Sequence, residues 1–153
     1  MGLIPSAIIP DASVLFSFFK LDSIRRNIFR ELLKKECKFI SPEFVLEELL
    51  SDKEKIMKYA GINEFEFSYL FQLINKEINK ILEKDYKKFL LETNEISPHE
   101  KDHSYFALAL SKNLPIWSDE KAFKKQSKIK VYSTDELLSL LKLSENANPE
   151  NSN

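Results

Sequence analysis

The chain reads as an α/β protein: a three-layer α/β/α sandwich around a central, mainly parallel sheet of four to five strands. Short apolar runs alternate with stretches of helical periodicity, the pattern of parallel strands joined through helices. Hydrophobic residues at 43% and charged residues at 31% of 153 residues suit one globular domain with a substantial core. Acidic residues follow or flank the apolar runs, where an open sheet carries its ligands.

Taken in order, Ala7 to Pro10 is the first strand, followed by helical stretches from Ser13 to Phe19 and from Ser23 to Lys35. Cys37 to Ile40 is the second strand. Ser41 is placed to cap the next helix, with Pro42 in the first turn, where a missing N–H does no harm. That helix carries Val45, Leu46, Leu49 and Leu50 and breaks near Ser51-Asp52. Another reaches Tyr59, and Gly61 is its stop. Asn63 caps an amphipathic helix with Phe67, Leu70, Phe71, Ile74 and Ile78 at helical spacing. Ile81-Leu82 fits a short third strand, and Tyr86 to Asn94 reads as helix. Ser97-Pro98-His99-Glu100 carries a capping-box signature for a helix running to about Asn113. Pro115 to Ser118 is the next strand, Ala122 to Gln126 a short helix, and Ile129 to Tyr132 the last strand. Ser133 or Thr134 caps a closing helix through Leu141. The domain is expected to span residues 1–143, with 144–153 a disordered polar tail.

Composition narrows the function. Two glycines, Gly2 and Gly61, exclude both a Walker A loop and the glycine-rich dinucleotide fingerprint. Cys37 is the single cysteine, so neither an internal disulfide nor a cysteine-rich zinc site is available. No apolar stretch reaches membrane-spanning length, and Met1-Gly2-Leu3-Ile4-Pro5 lacks a secretory signal's features. The expected location is cytoplasmic.

Four acids stand out. Asp11 ends the first strand, Glu48 lies beside the buried stripe of its helix with Glu47 competing, Asp102 precedes Tyr105-Phe106-Ala107-Leu108-Ala109-Leu110, and Asp119-Glu120 follow the Ile116-Trp117 strand. Each has a bland alternative: a helix cap for Asp11, an exposed helix carboxylate for Glu48, macrodipole stabilisation for Asp102. Gathered at one sheet edge, the carboxylates repel one another unless a cation neutralises them, which points to a divalent-metal site and phosphodiester hydrolysis. Lys121, Lys124 and Lys125 begin a basic run directly after Asp119-Glu120. They are candidates for holding nucleic-acid phosphates, against a solvated face or structural ion pairs. His99 and His103 flank Asp102 but have no cysteine to complete a zinc site.

Four stretches carry a family resemblance: Ile8 to Leu15, Ser41 to Leu49, Glu100 to Leu110, and Leu114 to Phe123. Their order and content resemble the PIN domain, a nuclease fold shared by toxins of VapBC-type toxin–antitoxin pairs and archaeal relatives. The resemblance implies Asp11, Glu48 and Asp102 as metal-site acids. The family's Ser/Thr-x-Asp spacing, counted from Ser118, falls on Glu120, with Asp119 its neighbour. Either Glu120 reaches the ion or Asp119 replaces it, and Ser118 orients an acid or a water. Mg²⁺ or Mn²⁺ suits such oxygen ligands. The resemblance also implies an endoribonuclease acting on RNA, an antitoxin protein for a toxin, and a homodimer with Phe65 to Phe71 as contact surface. Two competing readings are a catalytically silent RNA- or protein-binding module and, last, a phosphatase using Asp11 as nucleophile.

Overall fold

A computed structural model describes residues 3–147. Five strands, β1 (Ala7–Pro10), β2 (Lys38–Pro42), β3 (Ile78–Ile81), β4 (Ile116–Trp117) and β5 (Val131–Tyr132), form one sheet in the order β3-β2-β1-β4-β5. Every pairing is parallel. β1 occupies the centre and all four of its residues are buried, as a strand covered on both faces demands. Burying Ile8 and Ile9 there contributes about 1.5–3 kcal/mol per side chain.

The chain builds outward from β1 to β2 and β3, then returns to add β4 and β5 on the other side. Strand order therefore reverses between β1 and β4, the place where an open sheet of this kind holds its ligands. The Asp11 N–H donates to the Trp117 carbonyl at 3.0 Å, so the residues leaving β1 and β4 emerge side by side.

Among the described residues, seven α-helices complete the sandwich: α1 (Ala12–Phe18), α2 (Ile24–Lys34), α3 (Phe44–Ser51), α4 (Lys53–Ala60), α5 (Glu64–Glu77), α6 (His103–Lys112) and α7 (Thr134–Ala147). α2 packs on α1 and α7, while α6 packs on β2 and β4. Between helix and sheet, Phe29 stacks on Phe39 with ring centroids 3.9 Å apart, and Phe39 meets Trp117 at 6.4 Å. Arg26 donates from Nε and Nη2 to the carbonyls of Phe18 and Phe19 at 2.6 and 2.7 Å. That satisfies carbonyls left open at the C-terminus of α1.

Several local signals act as read. Gly61 ends α4 at φ 67°, and Asn63 forms a reciprocal capping box with Glu66 on α5. Ser133 and Glu136 exchange hydrogen bonds at 3.0 and 3.1 Å at the start of α7.

Other signals are overridden by tertiary pairing. Ser41 and Pro42 are not a helix cap; they pair with Lys80 and Ile81 as the end of β2, and α3 starts two residues later. A proline at the end of a strand needs no ladder donor, which makes the extended reading equally good locally. Ile78 leaves the α5 stripe to open β3. Tyr86 to Asn94 is not a helix but a succession of 3₁₀ turns. There Tyr86 sits at φ −124° and the Thr93 hydroxyl donates to the Leu90 carbonyl at 2.6 Å, competing with regular helix bonding. The Ser97 hydroxyl donates to the His99 carbonyl at 2.8 Å instead of capping, and α6 begins only at His103 after a 3₁₀ turn over Glu100–Asp102. α7 continues past residue 143 to Ala147. Met1-Gly2 and the expected tail over residues 148–153 lie outside the described residues.

Candidate active site

Asp11 is the N-cap of α1, in extended backbone at φ −76° and ψ 171°. Its Oδ1 accepts from the Val14 N–H and the Ser13 hydroxyl, each at 2.9 Å. It is 3% exposed. Burial pushes its carboxyl above the ordinary range; Ser118, Val14 and Ser13 favour the charged form, and the charge of Asp119 opposes it. The bland reading of this residue holds: the carboxylate caps α1 at the carboxyl end of β1.

Asp102 is the second perturbed acid and feels the charge of Asp11. It precedes α6 without making a side-chain cap bond, which leaves its oxygens free. Burial foremost, then the charges of Glu120 and Asp11, pushes its carboxyl up to about 6, against the pull of His99 and His103. Asp102 thus feels one acid from the end of β1 and another from the end of β4. Residues 11, 102 and 120, distant in sequence, share one electrostatic neighbourhood.

The pattern of the PIN domain matches residues 9–142. The chain belongs to the PIN domain family. A search among curated proteins finds no match. PIN domains are a nuclease-type fold, and PIN nucleases typically use divalent metals.

In this PIN domain the two acids after β4 have different surroundings. Asp119 accepts from Arg25 Nε at 2.9 Å and Nη2 at 2.7 Å, from the Thr134 N–H at 2.7 Å, and from the Thr134 hydroxyl. Burial alone would raise its carboxyl, but the Thr134 bonds and the Arg25 guanidinium bring it below the ordinary value. Asp119 ties the β4 exit to α2 and to the positive end of α7. Glu120 makes no side-chain hydrogen bond or ion pair among the described residues, while its N–H donates to the Ser118 hydroxyl at 3.1 Å. Ser118, 1% exposed, thereby holds the Glu120 backbone, and its hydroxyl favours the charged form of Asp11.

Glu48 borders a recess of about 260 Å³ together with Ala12, Ser13 and Asp52. Partial burial and Asp52 raise its carboxyl; Lys101 lowers it. Glu47 points elsewhere, into a separate recess with Glu43, Glu83 and Ser104. Beside Glu120, a cleft of about 510 Å³ is lined by Arg25, Ser118, Lys121, Lys124 and Thr134 among others. Lys124 is ion-paired to Glu136, so it is held as a structural partner in this arrangement. Neither Lys121 nor Lys125 forms an ion pair among the described residues.

Among the described residues, no three His, Cys, Asp or Glu side chains stand close enough to hold one ion as placed. The donor chemistry nevertheless suits a hard divalent cation: the groups are all oxygen, and Asp11 and Asp102 are both perturbed by burial and by other acids. A further group, absent from the reading of the sequence, belongs to the same neighbourhood. Tyr105 is 4% exposed; burial foremost, then the charges of Asp11, Glu48 and Asp102, raises its phenol, against a backbone hydrogen bond from Ala12. Its signal was spacing: a polar-tipped aromatic three residues after Asp102, hence on the same side of a helix. Cys37 is buried in the core, and burial raises its thiol to about 11.

Proposed function

We propose that this PIN domain is a Mg²⁺- or Mn²⁺-dependent endoribonuclease that hydrolyses RNA phosphodiester bonds at the Asp11–Asp102–Glu120 crevice. The observation that carries this reading is the elevation of Asp102 to about 6 by burial and by acids arriving from both other strand ends. Perturbed carboxylates in a cleft mark functional sites. Glu48 is assigned as the fourth acid, and Glu120 takes the family's last acidic position because Asp119 is engaged by Arg25 and Thr134.

When bound, a divalent cation would supply charge neutralisation at the phosphate and a lowered pKa for water. Asp11, held at Oδ1 by Val14 and Ser13, would present its remaining oxygen as a rigid donor. Asp102, Glu120 and Glu48 would contribute from separate elements, and Ser118 would hold the Glu120 backbone in position. Lys121 and Lys125 would draw the RNA phosphates towards an otherwise acidic crevice. Hydrolysis adds water across the ester, breaking the P–O3′ bond to leave a 5′-phosphate and a 3′-hydroxyl.

The narrower proposal is a toxin acting in the cytoplasm, restrained by an antitoxin that sets a basic residue over the acids. Dimerisation would use the face where Phe65 and Tyr69 are exposed. No helix among the described residues is long and apolar enough to cross a membrane. Copurification with a small protein encoded beside the gene, and growth arrest when the chain is expressed alone, are its expected signs.

The spread of the acids as placed favours a second reading, a silent RNA- or protein-binding module. Incubation with single-stranded RNA and Mn²⁺ separates the two. Cleavage abolished by EDTA and by Asp11→Asn supports the nuclease. RNA that is retained in a gel shift but left intact at stoichiometric protein supports the silent module.

A further inference from the structure

Residues 121–130, between β4 and β5, include Lys121, Lys124, Lys125, Lys128 and Lys130 and no acid, in a chain of formal net charge −1. All five lysines are exposed, while Phe123 and Ile129 are buried. The two apolar side chains anchor the loop to the core, where the Phe123 ring meets Phe106 at 5.1 Å. Gln126 braces the loop from within. Its Nε2 donates to the Phe123 and Ile129 carbonyls, each at 2.9 Å, and its Oε1 accepts from the Ile129 N–H at 2.8 Å. The cations therefore stand on a fixed backbone, which reduces the ordering cost of engaging them.

Two clefts follow this loop. The cleft of about 510 Å³ beside Glu120 is lined by Lys121 and Lys124, and the next, of about 410 Å³, by Lys124, Gln126, Lys128 and Lys130. Lys124 is common to both, so a path leads from Glu120 outward to the start of β5. Asp119, Glu120 and Asp135 line the first cleft, whereas the second has no acid among the described residues. Lys124 is paired with Glu136, and Lys130 lies over the Tyr132 ring at 5.0 Å. Lys121, Lys125, Lys128 and Lys130 form no ion pair among the described residues. A protein partner is held through aromatic or aliphatic anchors at the centre of its contact, where lysine is depleted. Here the exposed side chains are the lysines and Ser127, a composition that suits the phosphates of a nucleic-acid strand.

We propose that residues 121–130 form a docking strip for single-stranded RNA, in which Lys128 and Lys130 of the outer cleft, together with Lys121 and Lys125, hold the phosphates of the strand beyond the nucleotide that reaches the acids. The identity of the strand rests on the endoribonuclease reading, but the binding itself requires no metal. Four ammonium groups on four phosphates give a slope of log K against log salt of about −3.

The test is fluorescence anisotropy of a labelled single-stranded RNA with the full chain in EDTA, across a range of salt. The wild-type slope tests the strip even without a variant. Lys128→Gln with Lys130→Gln should reduce that slope by about 1.4 and weaken binding about 25-fold at about 0.1 M salt. Lys84→Gln with Lys87→Gln removes the same charge from exposed lysines between β3 and α6 and should bind as wild type does. No binding by the wild type, an unchanged slope in the strip variant, or an equal loss in the control pair overturns the proposal. DNA of the same sequence bound more tightly, or poly-glutamate bound as tightly, overturns the assignment to RNA. Cleavage is read separately with Mn²⁺: its absence beside salt-dependent binding overturns the nuclease and leaves the strip standing, and cleavage with an unchanged slope in the strip variant does the reverse.

Discussion

Replacing Asp102 by Asn should make the metal-free protein more stable while removing its capacity to act. The carboxyl of Asp102 is moved from 3.8 to about 6, so between about pH 4 and 6 the folded chain binds its proton more tightly than the unfolded chain does. Wild-type stability therefore falls as pH rises through that window, and the full cost persists at pH 7. At about 1.4 kcal/mol per unit the whole shift corresponds to about 3 kcal/mol; solvent screening of this partly exposed group reduces it to about 1–2 kcal/mol. Asparagine carries no charge at any of these pH values, and no cap bond is lost because Asp102 makes none. For a domain of this size the gain is about 2–8 °C in Tm. Thermal unfolding in EDTA should show that gain at pH 7 and lose most of it by about pH 4, where the folded carboxyl is protonated and the unfolded one is about half so. Addition of Mn²⁺ at a hundredfold over Kd should stabilise the wild type by about 2.7 kcal/mol and leave the variant unmoved. A destabilised variant at pH 7, or the same difference at both pH values, would refute the claim that Asp102 is held among other acids.

The adjacent acids should separate cleanly. Asp119→Ala is expected to cost about 2–3 kcal/mol by stranding Arg25 and the Thr134 N–H, whereas Glu120→Gln should stay within about 0.5 kcal/mol of wild type yet lose Mn²⁺ binding and cleavage; urea titrations with calorimetry check both, and the reverse pattern would exchange their roles. At position 11, Asn and Ala should both abolish cleavage, but Ala should lose about 1 kcal/mol more because Asn remains a good N-cap. Equal stabilities there would show that the Val14 and Ser13 bonds contribute nothing as a cap.

The strongly periodic and capped parts of this chain were readable because their causes are local. Gly61, the Asn63–Glu66 pair and the apolar β1 each determine their geometry within a few residues. The family resemblance, carried by four short stretches in order, likewise extended to the fold. Where reading failed, two local solutions were close in energy and a distant segment chose between them. Ser41-Pro42 suits a helix start, but pairing with Lys80 and Ile81 draws it into β2.

For the site, the chemical types were set by the chain alone: oxygen donors, no cysteine cluster, no phosphate loop, and an acid after each of the strands that meet at the switch. Which of those acids is free to serve was decided by tertiary structure. Asp119 and Glu120 are neighbours with the same charge, and only the arrival of Arg25 from α2 and Thr134 from α7 engages one and leaves the other open. Burial and long-range charge act through space, and they depend on neighbours that sequence order does not bring together.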